Sequence, residues 1–379
     1  MKKFIPIMFV AALAAFVSCT EFVNEIPDPV YPGRELSLSD VAKILSELPL
    51  EQEHLEEVYD AVSSSSRNGY DEEYLMSSLF NAPGCGVGES GTRAERYARP
   101  LRELLSSYFE SRPVTRGGSA EDCIRSLVES DMQIYWPYSE DWDGETYPVV
   151  TFDPGYGAES NWGYELRSGS GGGLELADSV FVDESVAQRR PVWVINTNDD
   201  RSFTPVSVTN SVNGGPQLSV PGQKTKLILK NFTMFRNYDS WFGGASEFCI
   251  KVGAIDGFKA ADEGDLKLYT PSVTDFLVVI KRKQLGLKVP LDIVMLTDFT
   301  DQMEKIAFLI TEDDGGTSTA WKASTVVKVN SKQYGFDINL PYKDSDDIVW
   351  RGQLDTSFFN WQSTTDGRFG DVKITFEIR

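Results

Sequence analysis

Apolar residues recur at three-and-four spacing through the first third of the chain and alternate with polar ones through much of the rest. Val41, Ile44, Leu45 and Leu48 follow Ser39 and Asp40, and Leu55, Val58, Tyr59 and Val62 repeat the spacing. Each set lies on one stripe of a helix. Thr92 with Glu95 has the spacing of a capping box ahead of Tyr97, Leu101, Leu104, Leu105 and Tyr108. Ser119 is placed to cap a helix holding Cys123, Ile124, Leu127 and Val128. Residues 38–131 are therefore expected to be helical, either as a small domain or packed on the domain that follows.

From MQIYWPYSEDWDGETYPVVTF onward, aromatic and β-branched runs broken by Pro, Gly and Asp predict strands and tight turns. PVWVINT at 191–197 predicts a buried strand, and SGSGGG at 168–173 a loop. After NGGPQLSVPGQ at 213–223, strands dominate to the end. In VKITFEIR, Val372, Ile374, Phe376 and Ile378 alternate with Lys373, Thr375, Glu377 and Arg379, the pattern of a half-buried strand. The expected class is α+β and multidomain: a helical N-terminal region, then mainly antiparallel β domains at 132–215 and 222–379, the last a sandwich.

The N-terminus has a different pattern. Lys2 and Lys3 precede an uncharged run from Phe4 to Ser18, which is the layout of a secretory signal and shorter than the ~20 apolar residues of a spanning helix. FVSCTE at 16–21 then puts Cys19 directly after a small residue. This resembles the lipobox of bacterial lipoproteins, with Phe16 where a leucine is usual. The resemblance implies a signal peptide over 1–18, acylation of Cys19 and an outer-membrane location with the facing leaflet open. Each buried acyl CH₂ contributes about 0.8 kcal/mol, so two or three chains hold a protein to a bilayer. Pro27, Pro29 and Pro32 favour an extended tether over 19–37.

Composition narrows the partners. The formal charge is −21 over 379 residues, and loss of Lys2 and Lys3 with a signal makes it more negative still. Such a body repels phosphate backbones, which argues against nucleic acid and in favour of cations. Beyond Cys19 there are Cys85, Cys123 and Cys249, enough for one disulfide, Cys85 to Cys123 being nearest in sequence, or for three separate thiols. His54, in EQEHLEEV, is the only histidine. It is expected to be solvated, and alone it completes no Ser/His/Asp triad, Cys/His dyad or HExxH site.

Several motifs bear on chemistry. GVGESG at 86–91 has GxGxxG spacing but follows NAPGC instead of a strand, so it reads as a loop. SEDWDGE places Ser139, Asp141, Asp143 and Gly144 like the start of a calcium loop. Ser139 replaces the first aspartate and Val150 the bidentate glutamate, which excludes an EF-hand and leaves a hydrated turn that recruits a cation loosely. Trp136, Trp142 and Trp162 with Tyr138 are candidates for a carbohydrate surface, set against the commoner role of aromatics in a core. A hydrolase using two carboxylates needs no histidine, and Asp141, Asp143, Glu165, Asp183 and Glu184 are its candidates.

YDSWFGGASEFCIKV at 238–252 has an aspartate, glycines, a serine before an acidic residue and then an apolar strand with a lysine. It resembles the first acidic loop and following strand of C2 domains. FLITEDDGG at 308–316 resembles the second acidic loop through Glu312 and Asp314, and DSDDIVWRG at 344–352 a displaced Asp-Asp segment of that family. The resemblance spans 222–379. It implies a C2-like β-sandwich with calcium held by Asp239, Glu247, Glu312, Asp314, Asp346 and Asp347, Glu247 standing where the family has aspartate. The alternative is that acidic turns keep strand edges soluble. The combined expectation is an outer-envelope lipoprotein acting as a non-enzymatic, cation-assisted binding or adhesion module, with a glycan or envelope protein as partner. The alternatives are a glycosidase-like hydrolase and a scaffold subunit of an envelope complex.

Overall fold

Two serines start helices in the same way. In the computed structural model, which describes residues 36–65, 72–80, 97, 99–111, 119–168, 174–198 and 225–379 (side chains of 167, 168 and 174–178 apart), Ser37 and Ser119 each form a reciprocal capping box, with Asp40 and Asp122. Ser37 caps α1 (Leu38–Glu47), two residues earlier than the Ser39–Asp40 start expected. Ser119 caps α5 (Ala120–Glu129). Between them lie α2 (Gln52–Ser65), α3 (Met76–Leu79) and α4 (Leu101–Glu110). The lipobox with Cys19, the tether, the Thr92–Glu95 box, GVGESG, Cys85, most of SGSGGG and NGGPQLSVPGQ lie outside the described residues. Among the described residues no helix is long and apolar enough to cross a membrane.

His54 is the first correction. It is buried, and its Nδ1 accepts the Glu51 N–H at 2.9 Å, so it caps the start of α2 from inside the fold.

The helices do not form a core of their own. A six-stranded sheet runs in the order β1 (Glu73–Leu75), β2 (Met132–Tyr135), β6 (Val192–Thr197), β3 (Val149–Phe152), β4 (Ser160–Ser168), β5 (Leu174–Asp183), antiparallel except for β3 beside β6. Val41, Ile44, Leu55, Val58, Leu104 and Ile124 pack in one cluster with Ile134, Trp136, Val150, Trp193 and Ile195 of the sheet region. The helices thus pack on the region that follows, one of the two arrangements expected for 38–131. The described residues of 38–198 form one α/β unit, because each helix is apolar on only one stripe and the sheet supplies the surface that covers it.

The C-terminal unit is a β-sandwich. One sheet has the order β10 (Val289–Leu296), β7 (Leu227–Met234), β16 (Val372–Ile378), β15 (Thr365–Phe369). The other runs β13 (Lys332–Lys343), β12 (Ser318–Val329), β11 (Met303–Glu312), β8 (Ser246–Ala254), β9 (Ser272–Ile280), with β14 (Asp347–Asp355) also on β11. Phe232, Ile374 and Phe376 of the first sheet meet Phe248, Ile250, Phe308 and Ile310 of the second. Alternation sends Ala307 and Leu309 to the opposite face of β11, where Ile338 and Leu340 of the β12–β13 hairpin cover them. Gly253 permits this third layer, since a Cβ there would sit 2.9 Å from Ile338 Cδ1. The α+β class, with antiparallel sheets and a terminal sandwich, is as expected.

Candidate cation site

Glu312 ends the inward row begun by Ile306, Phe308 and Ile310 on β11 and pairs in register with Phe248 of β8. The alternation therefore carries a carboxyl group into the edge of an apolar core. Glu312 is fully buried, and its two oxygens find no hydrogen-bond partner of good geometry. Burial first, and then the neighbouring Asp239 charge, hold its carboxyl well above the usual carboxylate range.

Two other carboxylates face it. Glu247, second residue of β8, is buried, and Asp239 sits half-buried on the loop joining β7 to β8. One oxygen from each of Asp239, Glu247 and Glu312 lies within 4.8 Å of the others. The three converging oxygens are half of the six that calcium takes up at least, and the second oxygens of the same carboxylates, backbone carbonyls or water would supply the rest. Converging carboxylates repel unless a proton or a cation intervenes, so a hard divalent ion fits this donor set.

The other acidic residues expected to hold calcium are placed differently. Asp346 accepts the backbone N–H of Lys343 at 2.9 Å and of Asp314 at 3.4 Å, so it clasps the turn. Burial raises its carboxyl. Asp347 points to Arg236 at 3.6 Å. Asp314 contributes charge at Glu312 without joining the cluster. Asp313, not singled out in the sequence, is buried and neutralised by Lys343 at 2.6 Å.

The site abuts the junction between the two units. Trp241 and Phe242, on the loop that carries Asp239, are buried among Tyr135, Val149, Val182 and Val194 of the α/β unit. Trp241 Nε1 donates to the Glu159 carbonyl at 2.9 Å, and Asn196 Nδ2 to that of Phe242 at 3.1 Å. Arg282 grips both units, donating to the Asp239 carbonyl at 2.9 Å and to both oxygens of Glu184 at 3.0 and 3.1 Å. Nearby, Lys283 pairs with Glu140 and lies 3.7 Å from Glu72. Sequence reading missed these anchors. The one available signal was WFGG, adjacent large aromatics in an inter-strand loop that solvent would not favour.

The carbohydrate and hydrolase candidates are dispersed. Trp136 is buried against Trp142, Trp193 and Tyr59. Trp162 lies elsewhere, exposed and edge-on to Phe181, so the expected trio makes no single surface. Tyr138 and Trp142 border a cleft of about 120 Å³ together with Asp141, Arg189 and Arg190. Of the five candidate carboxylates, Glu165 pairs with Arg190 at 2.7 Å, Glu184 with Arg282, and Asp183 caps α6 (Glu184–Ala187). Asp143 accepts from Glu145 N, Thr146 N and Thr146 Oγ1, which hold its carboxyl down to about 2. Those bonds tie the Asp143 carboxylate into its own turn.

No protein-family model, curated protein or solved structure matches the chain. The class of the site therefore rests on its own geometry.

Proposed function

We propose that this protein is a lipid-anchored envelope module that binds without catalysis and holds a divalent cation, of the calcium class, at Asp239, Glu247 and Glu312. The observation that carries the cation reading is Glu312: a wholly buried carboxyl with no hydrogen-bond partner of good geometry, aimed at two further carboxylates, is a costly arrangement that a bound cation relieves. Membrane attachment rests on the FVSCTE border at Cys19, and the binding role on the acidic sandwich end together with the strongly negative body.

The test is calorimetric. Calcium chloride is titrated into the chelator-treated full chain, with magnesium and manganese chlorides as comparisons, and saturable heat at one site is expected. Asp239→Asn should weaken binding at least tenfold. No heat with any of the three ions overturns the reading. For the anchor, fatty-acid labelling should be lost in Cys19→Ala, and unchanged labelling would refute it.

A further inference from the structure

We propose that the cation at Asp239, Glu247 and Glu312 also governs the docking of the sandwich on the α/β unit, with the loop at 235–245 as the coupling element. This inference rests on the cation reading above and adds a regulatory role to it.

The three carboxylates differ in how firmly their backbones are held. Glu247 is locked in β8 opposite Val279, and Glu312 in β11 opposite Phe248 and Asp347. Asp239 is outside any strand. When the three repel one another, Asp239 is the member that yields. Ion binding pulls it in, and ion loss releases it.

The loop beyond Asp239 has little slack to absorb that movement. Trp241 is only two residues away, a span of at most about 7 Å. Gly243 N bonds to the Ser240 carbonyl at 3.0 Å, closing a tight turn. A Cβ on Gly243 would stand 3.1 Å from Asp239 Cβ, so the turn packs directly on the ligand residue. Gly244 follows at φ +107°, with no room for a side chain because Glu73 of the α/β unit lies against it.

The two aromatics of the turn are anchored in the other unit. Trp241 and Phe242 are buried there, and Asn196 holds the Phe242 carbonyl. Arg282 ties the Asp239 carbonyl to Glu184. One residue thus offers its carboxylate to the cluster and its carbonyl to the inter-unit arginine. A displacement of Asp239 strains both contacts, and linkage makes the coupling reciprocal: whatever loosens docking weakens the ion by the same factor.

Hydrogen exchange on the full chain, in calcium chloride and in chelator, tests this alongside the calorimetry. Calcium is expected to slow exchange at least tenfold in peptides spanning 159–163 and 192–198, which lie in the α/β unit. Asp239→Asn should remove that effect. Arg282→Ala, which leaves all three carboxylates in place, should weaken calcium binding and shrink the protection together. Calcium heat without any change at 159–163 or 192–198 overturns the coupling while the cation reading stands. Neither heat nor protection overturns both. An Arg282→Ala chain with unchanged affinity and full protection overturns the coupling alone.

Discussion

Replacing Glu312 with glutamine separates the demands of the fold from those of the ion. A buried polar group left without a partner costs about 1–3 kcal/mol, and more when it carries charge. Glu312 is fully buried, faces Asp239 and Glu247, and meets no donor of good geometry. Glutamine has nearly the same shape, carries no charge and brings an N–H₂ that can donate to Asp239. Glu312→Gln should therefore stabilise the ion-free chain by about 1–3 kcal/mol. At roughly 2–4 °C per kcal/mol for a domain of this size, that is a rise of several degrees in the unfolding midpoint of the sandwich. Calcium at a hundred times its dissociation constant stabilises a one-site protein by about 2.7 kcal/mol, an increment the variant should lack. The order of the two proteins should thus narrow or invert between chelator and calcium, as read by differential scanning calorimetry. A variant that melts below the parent in chelator, or one that gains as much from calcium as the parent does, refutes the reasoning.

Other substitutions probe neighbouring features. Asp347→Asn should leave calcium affinity within about threefold, because that carboxylate pairs with Arg236; a tenfold loss in calorimetry would place it in the site. Asp143 should titrate near 2 by carboxyl-carbon NMR, and Thr146→Val should raise it by removing the hydroxyl that lowers it most. The stability this depressed group contributes is present above the ordinary aspartate value and fades as pH falls toward about 2; an ordinary value in the parent chain refutes the turn geometry. Gly163→Ala would bring a Cβ to 2.7 Å from Val149 Cγ1 and 2.8 Å from Val182 Cγ2. It should cost about 1–3 kcal/mol in urea unfolding, and an unchanged midpoint would count against that packing.

The sequence was most informative where local chemistry and tertiary role agree. Ser119 caps α5, and the alternation from Val372 to Ile378 is β16, because cap and period are properties of a few adjacent residues. β1 was invisible for the opposite reason. Glu73, Tyr74 and Leu75 are strand only because they pair with Tyr135, Ile134 and Gln133, more than fifty residues on. His54 looked solvated among its carboxylates, yet its ring turns inward to cap α2.

The acidic loops divided along the same line. Asp239, Glu247 and Glu312 could be picked from the C2-like pattern, and their convergence follows from β8 lying beside β11. Asp346 and Asp347 could not be sorted in advance. Their carboxylates are claimed by the Lys343 amide and by Arg236, partners that only the folded turn supplies. The role of Trp241 and Phe242 as anchors likewise depends on Tyr135, Val149, Val182 and Val194, which only the folded sheet brings together.

The common core of α1–α5 and the first sheet sets a limit on how this half of the chain can be divided or inherited. Proteolysis at residue 131 would leave Ile134, Trp193 and Ile195 without their covering helices, and the helices with bare apolar stripes. Neither piece would then keep its apolar surface covered, so recombination must move these helices and this sheet as a single cassette.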